Sequence, residues 1–88
     1  MVEFVKEPVS VEVQVGRDGT ARPVAFAWHG HRYLIESWGR ESRETSEGFV
    51  LHCYLVQTAG FETWELCQDV DRGQWTLVRR WTGRYRPV

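Results

Sequence analysis

Val9, Val11, Val13 and Val15 alternate with Ser10, Glu12 and Gln14, and a period of two recurs along much of the chain. Successive side chains of a strand point to opposite faces, so this alternation describes a ribbon with one face buried and one wet. Val24, Phe26 and Trp28 repeat it against Ala25 and Ala27, and Tyr33 and Ile35 continue it over 32–37. The stretch 49–58 is apolar on both faces, with Phe49, Leu51, Cys53 and Leu55 against Val50, Tyr54 and Val56. A strand of that kind is covered on both sides. Trp64 and Leu66 share a face over 63–69, and Trp75 to Trp81 form the last run.

Turn residues punctuate these runs. Gly16-Arg-Asp-Gly-Thr20, His29-Gly30, Ala59-Gly60 and Asp71-Arg-Gly73 read as turns, the first because glycine accepts positive φ without strain. Residues 39–48, Gly-Arg-Glu-Ser-Arg-Glu-Thr-Ser-Glu-Gly, hold no apolar side chain. They are expected to form a mobile loop. The expectation is an all-β fold: one domain over 1–88, an antiparallel meander of about six strands. Curling into a small barrel or half-barrel would cover the apolar face, and residues 84–88 would form a tail. The links are too short for a parallel crossover. Trp28, Tyr33, Trp64 and Trp75 are the expected core aromatics.

Two stretches carry a resemblance: Arg22-Pro-Val-Ala-Phe-Ala-Trp-His-Gly-His-Arg-Tyr-Leu-Ile35 and Asp69-Val-Asp-Arg-Gly-Gln-Trp-Thr-Leu77. They resemble a family of short uncharacterised bacterial domains with the pattern Pro-x-Ala-Phe-x-Trp-x-Gly-x-x-Tyr-x-Val and a later Gly-x-Trp-x-Leu. Similar segments end the ImuB-like proteins, inactive relatives of Y-family polymerases in bacterial DNA-damage mutagenesis. The resemblance spans most of residues 7–81 and implies a small β fold and that biological setting, with no chemistry attached. The family's Trp-rich stretch after the third strand is replaced here by the charged residues 39–48, and its closing Tyr-Asp is absent.

Charge is unevenly distributed. Residues 1–71 contain all twelve acids and six of the eleven bases, a net of −6, whereas residues 72–88 contain five arginines and no acid. Such asymmetry marks either an interaction segment or a strand that neutralises acidic neighbours. Arg79, Arg80, Trp81, Arg84, Tyr85 and Arg86 are therefore the candidate binding residues. Guanidinium groups grip phosphate or carboxylate, and aromatic rings stack on bases.

Nothing in the sequence has the spacing of a catalytic or metal site. His29-x-His31 offers two imidazoles, short of the three or four ligands zinc takes, and reads as a pair of turn histidines. His52 and Cys53 are strand neighbours and face opposite ways, which argues against a dyad. No cofactor or small-molecule substrate is indicated. With no secretory signal at the N-terminus, Cys53 and Cys67 are expected to be reduced, buried thiols in a cytoplasmic protein. A three-residue turn after Thr58 would set Cys53 against Cys67, and a two-residue turn would set it against Leu66. Both registers are open at this level. No apolar run approaches membrane-spanning length. The expected function is a non-enzymatic interaction domain that binds a protein partner or its own copy. Single-stranded nucleic acid, held by the basic C-terminal segment, is the alternative.

Overall fold

The computed structural model describes residues 2–60 and 62–82, excepting the side chain of Ser46. Seven strands follow in order: β1 (Val2–Val15), β2 (Ala21–Trp28), β3 (His31–Leu34), β4 (Ser37–Ser46), β5 (Phe49–Thr58), β6 (Glu62–Asp69) and β7 (Trp75–Trp81). All pairings are antiparallel, and the sheet runs β3-β2-β1-β7-β6-β5-β4. It curls into a half-barrel.

β1 makes the curl. Its first half pairs with β7, ending at Val9 opposite Trp75, and its second half pairs with β2, beginning at Ser10 opposite Ala27. A strand that changes partners mid-length turns a corner between two sheets. A bulge between Phe4 and Glu7, with Lys6 at φ 53, adds twist. A second bulge follows Glu12, where β2 carries Pro23, a tolerated place for a residue with no N–H.

The concave face holds the core. Phe26, Val56, Trp64, Leu66 and Leu77 are fully buried, and Trp28, Ile35, Tyr54 and Trp75 nearly so. Trp64 lies at the centre, edge-on to Phe26 at 5.0 Å and to Trp28 at 5.7 Å, with Tyr33 at 4.8 Å. Its indole N–H donates to the Thr58 hydroxyl at 2.8 Å. Of the four expected core aromatics, the three tryptophans are buried and Tyr33 is half-buried.

Two expectations require correction. The strands number seven, because residues 39–48 are not a loop. Most of them lie in β4, which pairs with β5 from Ser37 opposite Gln57 to Ser46 opposite Phe49. Glu47 (φ 51) and Gly48 (φ 82) form the two-residue turn between them, in the primed geometry that suits strand twist. β4 is an edge strand with mostly exposed side chains, so no apolar alternation betrays it. The break in the half-barrel lies between β2–β3 and β4, and the first and last strands pair with each other.

Residues 35–38 bridge that break. Ile35 N–H donates to Val24 O at 3.0 Å, and Glu36 N–H to Gln57 O at 2.8 Å. The Trp38 indole donates to the Pro23 carbonyl at 2.7 Å, and the Arg22 guanidinium lies 4.0 Å from its ring centroid. Trp38→Phe keeps a ring for Arg22 but removes the donor to the Pro23 carbonyl, which stands opposite Val13 in the β1–β2 ladder. A loss of about 1 kcal/mol is expected, the net worth of one such hydrogen bond. An unchanged urea midpoint would show that the bridge holds without this bond.

Candidate interaction surface

The β6–β7 pairing shifts register between Glu65 and Leu66, setting Leu66 opposite Leu77 and Glu65 opposite Arg79. Arg79 and Trp81 consequently share the convex face, and Arg80 turns to the concave side. Arg79 Nε donates to Glu65 at 2.6 Å. That hydrogen bond is the main reason the Arg79 guanidinium is pushed above its ordinary value. The same guanidinium lies 5.3 Å from the Trp81 ring and 5.7 Å from that of Phe4. Arg80 donates to Glu3 at 2.7 Å, approaches Glu62 at 4.0 Å, and caps the core over Trp28 and Trp64.

The first three candidate residues thus come together, but each is engaged. Arg79 and Arg80 serve acidic strands, and Trp81 is 8% exposed. Arg84, Tyr85 and Arg86 lie outside the described residues. On the same face, beside the exposed Val2, stands the open ring of Phe4, 64% exposed. Sequence reasoning missed it because the N-terminal half of β1 lacks regular alternation.

A groove of about 330 Å³ crosses the convex face between β4 and β7, with Ser42, Leu55, Glu65 and Arg79 on its walls. Its floor includes Cys53, which stands opposite Cys67 with Cα atoms 4.0 Å apart and is joined to it as a disulfide. Thr58 pairs with Glu62, so the three-residue-turn register holds. The expectation of reduced thiols is corrected by the same fact: two cysteines directly opposite each other on neighbouring strands are within bonding reach.

Cys53, Glu65 and Cys67 bring three ligand atoms within 4.8 Å of one another. The sulfurs are bonded to each other and the carboxylate serves Arg79, so this donor set is already committed. The histidines stand apart. His29 stacks on Trp28 and meets Glu7 at 3.2 Å, and His52 stacks on Tyr54 and meets Glu41 at 3.4 Å. On the other wing, Arg32 grips Glu12 through two nitrogens at 2.6 and 2.9 Å, and this bond holds the Glu12 carboxyl below its ordinary range.

No helix among the described residues is long and apolar enough to cross a membrane. No family profile, curated protein or solved structure matches this chain.

Proposed function

We propose that this half-barrel is a non-enzymatic accessory domain that binds a protein partner or a second copy of itself. The observation that supports this reading is the commitment of Arg79 to Glu65 and Arg80 to Glu3. A guanidinium already paired with a carboxylate must give up that partner before it can hold a phosphate. The buried ring of Trp81 offers no face for a base. Phe4 and the outer edge of β4, by contrast, face solvent. The setting, beside bacterial DNA-damage machinery, is proposed from the resemblance of residues 22–35 and 69–77 alone.

Titration with fluorescent single-stranded oligonucleotides tests the reading. No binding is expected at physiological salt. Engagement of three or four phosphates would instead give a slope of roughly −2 to −3 in log K against log salt. Such binding by a strict monomer would overturn the proposal and favour the nucleic-acid alternative.

A further inference from the structure

We infer that the free edge of β4 pairs antiparallel with the β4 edge of a second copy, in one register centred on Ser42. This rests on the reading of the chain as an interaction domain and names its partner.

The backbone limits the choice of register. Cys53 and Cys67 are 4.0 Å apart at Cα, the spacing of a pair that exchanges no ladder bonds. Cys53 therefore turns its N–H and C=O toward β4, where it faces Ser42. Gln57, an even number of residues away, likewise directs its carbonyl to that side, onto Glu36. The N–H and C=O of Ser42 and Glu44 are thus spent on β5, and those of Glu41 and Arg43 point outward without a partner strand. Two copies can bond only by matching outward groups to outward groups, which permits every second register.

Charge then selects among those. With Ser42 facing its own copy, Arg40 opposes Glu44 and Glu41 opposes Arg43, twice each across the two-fold axis. One permitted step in either direction sets Glu41 against Glu41 or Arg43 against Arg43. Like charges directly opposite are destabilising. Charged edges normally repel other strands; this one repels its own copy in the neighbouring registers and attracts it in one. Arg40, Arg43 and Glu44 form no ion pair with other described residues, and Glu41 meets only His52. All four are exposed. The β1–β2 turn and Arg22 lie across a cavity of about 410 Å³ from Glu41.

A short edge buries little area, so the dimer should be weak and exchanging. Sedimentation of the intact chain is expected to show a monomer–dimer equilibrium with a dissociation constant of roughly 10 µM to 1 mM. Glu41→Arg sets arginine against Arg43, and Arg43→Glu sets glutamate against Glu41. Each variant alone should weaken the dimer at least about tenfold. An equimolar mixture of the two should dimerise as wild type does, because each copy then opposes the other's charges. A wild-type chain that stays monomeric at about 1 mM overturns this inference; if it also leaves oligonucleotides unbound, the broader reading stands with a different protein partner. Dimerisation of wild type without recovery in the mixture overturns the β4 register alone. Oligonucleotide binding by a strict monomer overturns both.

Discussion

Trp64→Ala is expected to remove most of the fold's stability. The side chain is fully buried and touches Phe26, Trp28 and Tyr33, which come from the opposite wing of the half-barrel. Truncating a buried tryptophan costs about 3–5 kcal/mol, because the cavity it leaves collapses only in part. The Thr58 hydroxyl also loses its donor. A domain of this length has roughly 4–13 kcal/mol in total. The variant should therefore lie close to, or past, its unfolding midpoint in water. Urea titration followed by far-UV circular dichroism reads the loss directly. A variant whose midpoint barely moves would mean that the two wings do not pack through Trp64.

The second large effect concerns the Cys53–Cys67 bond. It closes a loop over β5 and β6, with a sequence separation of 14. A loop of about that size restricts the unfolded chain by roughly 3 kcal/mol in the chain-entropy account. For a domain of this size that corresponds to a fall in Tm of roughly 10–25 °C. The double variant Cys53→Ala, Cys67→Ala should show it, as should reduction under conditions that open the fold. Alanine is the replacement of choice because both positions are buried, 2% and 5% exposed, and a serine hydroxyl there would need a partner. If the denatured, unreduced protein titrates two free thiols and reductant leaves Tm unchanged, the cysteines are the separate thiols first expected.

What could be read from residues alone divides along a physical line. β2, β5, β6 and β7 have alternating or two-sided apolar faces, and such faces are visible in sequence because burial selects for them. The His29-Gly30 turn was visible for the same kind of reason, since positive φ at both positions (50 and 78) favours that residue pair. β4 was not visible. It is an edge strand with its side chains largely in water, so hydrophobic period carries no trace of it. One local signal was available: Glu47-Gly48 before the apolar Phe49 repeats the pattern of His29-Gly30, and points to a hairpin with a strand on each side. The first half of β1 was hidden by its bulge at Lys6, which breaks the alternation.

The candidate site divides the same way. That Arg79 and Trp81 share a face while Arg80 takes the other follows from strand geometry. Which acid each arginine meets depends on the bulge at Glu65 and on β1 returning beside β7, a pairing between residues as far apart as Glu3 and Arg80. Nothing local in the sequence encodes either. The asymmetry of charge along the chain is, for Arg79 and Arg80, an arrangement of neutralising neighbours.

β4 is a sheet strand with one edge unpaired, the edge proposed to meet a second copy. Amide hydrogen exchange of the wild-type chain, measured across a range of protein concentrations, tests this at single residues. The Ser42 and Glu44 amides, bonded to β5, should be protected at every concentration. The Glu41 and Arg43 amides should exchange freely in dilute solution and gain protection as concentration rises. Free exchange of Ser42 and Glu44 throughout would contradict the strand, and free exchange of Glu41 and Arg43 at the highest concentration would contradict the pairing.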